Sequence, residues 1–171
     1  MKKTIQRKLI PFGLLLFLGV STFGQIASLS NSNRQLDFLI GDWELFSPNN
    51  KAVGEIKVQL ALGTQVLEES FKGENGLKAK SNFYFDTNKQ LWINSWSDDF
   101  GNELTFKGIF VNNKLVLNAT STNSHGKKTF HRIIYKKQLD GTVVKISQKS
   151  NNNKAWTTTY SGVYKRKKAV L

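Results

Sequence analysis

Residues 103–120 read ELTFKGIFVNNKLVLNAT. Leu104, Phe106, Gly108 and Phe110 fall on one side of the first arm, and Glu103, Thr105 and Lys107 on the other. That is the two-residue period of a half-buried strand. Asn112-Asn113 follow, a residue type that tolerates the positive φ of a tight two-residue turn. The second arm then sets Leu115 and Leu117 on one face, so the stretch reads as a β-hairpin.

The same grammar extends in both directions. Turn chemistry recurs at Ser47-Pro48-Asn49-Asn50, Leu62-Gly63, Gly73 to Gly76, Asp86 to Lys89 and Asp98 to Gly101, then at Asn123 to Gly126, Asp140-Gly141 and Asn151 to Asn153. Between these turns lie strand-length runs rich in β-branched and aromatic residues, which predicts about ten strands paired with their sequence neighbours. On the presumed inner faces are Ile56, Val58 and Leu60, then Leu115 and Leu117, then Phe130 and Ile134. No apolar stripe of period 3.6 appears; the one helical candidate is a turn or two over Asn33 to Leu39, with Ser32 or Asn33 as N-cap. A meander of this length exposes two edges, and closure removes them. The expectation is an all-β, antiparallel up-and-down barrel, with two stacked sheets as the alternative.

The barrel is preceded by a leader. Lys2, Lys3, Arg7 and Lys8 form a positive start, Leu9 to Val20 an apolar run, and Thr22 and Gly24 the small residues of a cleavage site. The run is short of the roughly 20 apolar residues that span a bilayer, and Pro11 and Gly13 interrupt it. Residues 1–24 are therefore expected to be a signal peptide and 25–171 a single exported domain, periplasmic or extracellular, with no transmembrane segment after cleavage. There is no Cys, which excludes disulfide stapling, thiol catalysis and Cys-ligated metal. The formal net charge is +13, four units of it in the leader. Most of the remaining lysines are scattered singly, as on a solvated outer face, so weak contact with envelope polyanions is an alternative role and nucleic acid is not an expected partner.

At Phe38-Leu39-Ile40-Gly41-Asp42-Trp43 the chain resembles exported bacterial domain-of-unknown-function proteins that open Phe-Leu-x-Gly-x-Trp. More distantly, it is similar to the Gly-x-Trp first strand of lipocalins and nitrobindin-like (calycin) barrels. The likeness runs loosely on through Tyr84-Phe85-Asp86, Trp92, Trp96, Gly108, Arg132, Trp156, Tyr160, Tyr164 and Arg166. It implies a barrel rather than an activity. It also implies that Gly41 permits a sharp turn at the barrel floor, that Trp43 plugs it, and that a basic residue of the last strand, Arg166 here, covers the indole; the alternative is that Arg166 belongs to a solvated Lys165 to Lys168 tail.

The site is expected where polar residues interrupt apolar faces. Glu69 lies between Leu67 and Phe71, Arg132 between Phe130 and Ile134, and Gln148 follows Val144 and Ile146. A charge pointing inward needs a partner, so Glu69 and Arg132 are expected to pair, directly or through a ligand. Trp92-x-Asn94-x-Trp96 sets two indoles and an amide on one face, a cavity wall or core rather than an outer patch. With Phe106 and Tyr160 these form the candidate binding set for a small apolar or amphipathic ligand, with any anionic group near Arg132. No catalytic residue and no metal ligand is assigned. His125 lies in a turn and His131 on the face opposite Arg132, outward, and the pair makes no zinc or nucleophile motif. No cofactor is expected; haem on His131 or His125 is what the nitrobindin likeness alone would add. An enzyme using Glu69 and Arg132 as acid and base is the remaining alternative.

Overall fold

In the computed structural model Asn112 and Asn113 adopt φ of 51° and 60° and join two antiparallel strands, as their side chains favour. The structure describes residues 34–63 and 65–168; the expected signal peptide, residues 1–24, and its expected cleavage site lie outside them. The strands are β1 (Gly41–Phe46), β2 (Ala52–Ala61), β3 (Val66–Gly73), β4 (Lys78–Asp86), β5 (Leu91–Asp98), β6 (Glu103–Val111), β7 (Lys114–Thr122), β8 (Lys128–Lys137), β9 (Val143–Ser150) and β10 (Thr157–Arg166). Each pairs antiparallel with its sequence neighbours, and β1 also pairs with β10, Trp43 opposite Arg166, so the sheet is a closed barrel. Closure leaves no strand edge without a partner and excludes two stacked sheets.

The helix before β1 is reduced to one 3-10 turn, Asp37–Leu39, with no side-chain cap; Ser32 and Asn33 lie outside the described residues. Packing holds it. Leu36 and Leu39 are fully buried and stop one end of the barrel. There Trp43 Nε1 donates to the Leu39 carbonyl at 2.7 Å, which satisfies the buried indole. The Arg166 guanidinium lies 3.9 Å from the Trp43 ring centroid and donates to the carbonyls of Ile40 and Phe38. Gly41 has φ of 134°, and a Cβ there would run into Arg166 Nη1. Glycine therefore serves both the turn and the close approach of the arginine. Arg166 is thus a cap on the plugged end and not part of a free tail.

Which face points inward differs from expectation in three strands. On β8 the buried residues are Ile133 and Tyr135, with His131 in phase, so Phe130, Arg132 and Ile134 face outward. On β9 Val143 is buried with Lys145 and Ser147 in phase, so Val144, Ile146 and Gln148 face outward. On β10 the pairing with β9 shifts between Thr158 and Tyr160. The two-residue spacing of Trp156, Thr158, Tyr160, Gly162, Tyr164 and Arg166 would set all six on one face, and that bulge breaks it: Thr158 pairs with outward Gln148, while Tyr160 and Tyr164 face inward. The apolar faces of β8 and β9 read from sequence are their outer faces because register is inherited from the partners: Leu115 sits opposite Tyr135 and Leu117 opposite Ile133.

Candidate functional site

The end of the barrel opposite Leu36 and Leu39 holds a cavity of about 580 Å³. Its apolar wall comes from Val53, Ile56, Phe71, Trp96, Leu104 and Phe106, the inward positions of β2, β3, β5 and β6. Its polar residues come mainly from the other side and the base. Glu69 is 3% exposed, and Lys145 Nζ reaches it from across the interior at 3.1 Å, with its side chain 16% exposed. Tyr135 Oη donates to Glu69 Oε1 at 3.3 Å and Tyr164 Oη to Oε2 at 3.4 Å. One carboxylate, one ammonium and two hydroxyls therefore close a charge-neutral cluster at the base.

Burial would push the Lys145 ammonium toward its neutral form. The Glu69 carboxylate and the Tyr135 hydroxyl outweigh that and hold its pKa above the usual lysine value. Burial first, and the nearby Glu69 charge second, push the Tyr135 and Tyr164 hydroxyls well above the ordinary tyrosine range. Burial also raises Tyr160. Its hydroxyl oxygen is sealed and has no hydrogen-bond partner; it occupies the space where a Cβ on Gly162 would stand. His131 borders the cavity and shares a 2.8 Å hydrogen bond between Nε2 and Ser121 Oγ. Burial and then the Lys149 charge lower its pKa.

The residues singled out in the sequence separate into three groups. Glu69, Trp96, Phe106 and Tyr160 surround the cavity. Trp92 and Asn94 share the inward face of β5 with Trp96, but Trp92 closes the plugged end, its Nε1 donating to Gln35 Oε1 at 3.1 Å. Asn94 is fully buried between the two indoles, and neither of its amide atoms has a partner. Arg132 and Gln148 border the cavity wall with side chains turned outward. Arg132 Nε donates to Asn118 Oδ1 at 3.0 Å, and Gln148 Nε2 donates weakly to Thr158 Oγ1 at 3.5 Å.

The expected Glu69–Arg132 pair is therefore replaced by Glu69–Lys145, and His131 faces in rather than out. His125 sits on the exposed β7–β8 turn. Sequence reasoning missed Lys145, Tyr135, Tyr164 and His131. The signal for Lys145 was its place one residue out of phase with Val144 and Ile146, together with a Glu69 that required a cation. Among the described residues no group of three or more metal-ligating side chains gathers, and no helix is long and apolar enough to cross a membrane. No protein-family model matches the chain and no curated protein matches it, so the reading of this site rests on its own geometry.

Proposed function

We propose that the chain is an exported, non-catalytic, lipocalin-like binding protein whose barrel takes up one small amphipathic molecule through its open end. The observation that carries this is the cavity itself. At about 580 Å³ it falls within the roughly 300–1,000 Å³ of small-molecule pockets, and it has their composition, an apolar wall with few convergent polar groups. The apolar body of the ligand lies against Phe71, Trp96 and Phe106. Its head is uncharged and lies toward the Glu69–Lys145 base of the cavity. Glu69 and Lys145 already neutralise each other, so a charged head would leave an unbalanced charge in a poorly solvated base.

The same cluster argues against catalysis. Lys145 is kept protonated and is no nucleophile, while the Glu69 oxygens already accept from three donors. Acid–base chemistry shared with Arg132 loses its basis because the two side chains lie on opposite sides of the barrel wall. The decisive test is fluorescence titration of the mature protein with the neutral probe N-phenyl-1-naphthylamine, followed by displacement with 1-decanol and with decanoate. Saturable one-site binding, displaced better by the alcohol and abolished by Ala79→Phe, which puts a ring into the cavity, is expected. Failure of the wild type to bind the probe, or equal binding by Ala79→Phe, would refute the proposal.

A further inference from the structure

Arg132, turned away from the interior, lies in a second concavity of about 480 Å³ on the outer face of the barrel. Its walls include Lys107 of β6, Asn118 and Thr120 of β7, and Asn153 and Trp156 of the β9–β10 connection. Lys107, Asn118 and Arg132 occupy one cross-strand row, since Lys107 pairs with Asn118 and Asn118 with Arg132. We propose that this groove binds an oxyanion carried on a hydroxylated ligand, a saccharide bearing a carboxylate, sulfate or phosphate group, with Arg132 as the anion-binding residue.

The guanidinium is held before any ligand arrives. Asn118 Oδ1 fixes Nε at 3.0 Å, and the group lies over the Trp156 ring, Cζ 3.9 Å from its centroid, a cation–π contact of the kind arginine favours. Trp156 is itself placed by a folded connection. Asn152 Oδ1 accepts from the backbone N–H groups of Lys154 and Ala155 at 2.9 Å each and from Ser150 Oγ at 3.1 Å. With the guanidinium over the indole and Nε engaged, the two terminal nitrogens of Arg132 have no hydrogen-bond or carboxylate partner among the described residues. A fork of this kind matches the two oxygens of a carboxylate, sulfate or phosphate.

Charge and polarity set the rest. No carboxylate lines the groove, and the ion pairs of the described residues lie elsewhere, at Glu69, Asp86, Glu55 and Asp37. Lys107 adds a second positive charge. The threonine hydroxyls and the amides of Asn118 and Asn153 suit a hydroxylated ligand, in contrast to the apolar interior. Nucleic acid fits less well, because single-strand binding uses free aromatic faces along an extended basic track, whereas Trp156 gives one face to Arg132 and Trp156 and Phe130 are the aromatic residues of the groove.

Isothermal titration of the full mature protein at about 50 mM salt, where screening is modest, tests this. The ligands are glucuronate, glucose 6-sulfate, glucose 6-phosphate, glucose, inorganic phosphate and an oligothymidylate. At least one of the three anionic sugars should bind saturably and shift the Trp156 indole resonance, with glucose inert, and which of them binds identifies the anion. Arg132→Lys keeps the charge but loses the fork and the planar guanidinium, and should weaken binding about tenfold or more. Lys107→Gln should weaken it only a few-fold. Unchanged far-ultraviolet circular dichroism and thermal midpoint certify that each variant barrel is intact. Absence of binding by every anionic sugar, equal affinity in Arg132→Lys, inorganic phosphate binding as tightly as the sugars, or an oligothymidylate that outcompetes them would each overturn the assignment.

Discussion

Replacing Lys145 by Met leaves the Glu69 carboxylate at the base of the barrel, 3% exposed, without its cation. Removing one partner of a buried pair typically costs about 3 to 5 kcal/mol. Two donors remain, the hydroxyls of Tyr135 and Tyr164, and hydrogen bonds to a charged group contribute roughly 1.5 to 3 kcal/mol each, so the cost belongs near the lower bound, about 3 kcal/mol. Glu69→Gln is milder, about 1 to 2 kcal/mol, because glutamine still accepts from the tyrosines and the long Lys145 stem can carry its ammonium toward the cavity mouth. The double variant buries no charge and should lie within about 1 kcal/mol of wild type, a coupling of at least about 3 kcal/mol in the double-mutant cycle. Urea unfolding measures this as a shift of roughly 1.5 M in the midpoint of Lys145→Met for a slope near 2 kcal/mol/M. The pH dependence carries a sign. Lys145 is raised above 10.5 and Tyr135 and Tyr164 above 10 in the fold; all three hold protons that the unfolded chain releases. Their contribution is complete below about pH 10 and lost above it, each group steepening the fall by up to about 1.4 kcal/mol per pH unit. Lys145→Met should flatten that alkaline slope. Coupling below about 0.5 kcal/mol, the limit of simple additivity, with an unchanged alkaline slope would refute the buried pair.

Arg166→Ala removes the cap over Trp43 and its bonds to two carbonyls; a loss of about 2 kcal/mol and easier acrylamide quenching of tryptophan emission are expected, and unchanged quenching would contradict a sealed plugged end. Asn94→Leu replaces a fully buried amide without partners by an apolar group of similar volume. It should raise the thermal midpoint, by about 1 to 3 kcal/mol in stability, whereas a destabilised variant would mean that the amide is satisfied. Intact mass of protein expressed with its leader should place the mature N-terminus at or within a few residues of Gln25; a full-length product would overturn the export argument.

What the sequence made legible follows from how sharply each strand divides into two faces. On β6, Leu104, Phe106 and Phe110 alternate with Glu103, Thr105 and Lys107, and the structure keeps that division. The same holds for the run Trp92, Asn94, Trp96, which lies on one inward face. The succession of hairpin-linked strands was likewise readable from the regular turns, whereas closure rested on the edge argument alone and left two stacked sheets as an alternative until β1 was seen to pair with β10. β8 and β9 have no such contrast: Phe130 and Ile134 compete with Ile133 and Tyr135, and Val144 and Ile146 compete with Val143. Local apolarity then selects the wrong face. Every side chain flips with a one-residue error of register, which is how Arg132 was expected inside and Lys145 outside.

The missing information was non-local but still present in the chain, because a hairpin transmits facing from one strand to the next. Asn112-Asn113 couples the unambiguous face of β6 to Leu115 and Leu117 of β7. The turn at Asn123 to Gly126, with Thr122 opposite Lys128, then places Leu117 against Ile133 and Leu115 against Tyr135. The turn at Asp140-Gly141, with Lys137 opposite Val143, carries the same face to Lys145 opposite Tyr135. Facing thus propagates around the barrel from its sharpest hairpin, and Lys145 arrives inside whatever the hydropathy of its neighbours. What makes that arrival tolerable is Glu69 on β3, brought in by its own alternation between Leu67 and Phe71. The two charges are positioned by separate sets of hairpins and meet across the closed interior, so their ion pair reports closure: a permuted or truncated barrel that cannot close should lose the Glu69–Lys145 coupling while keeping its local hairpins.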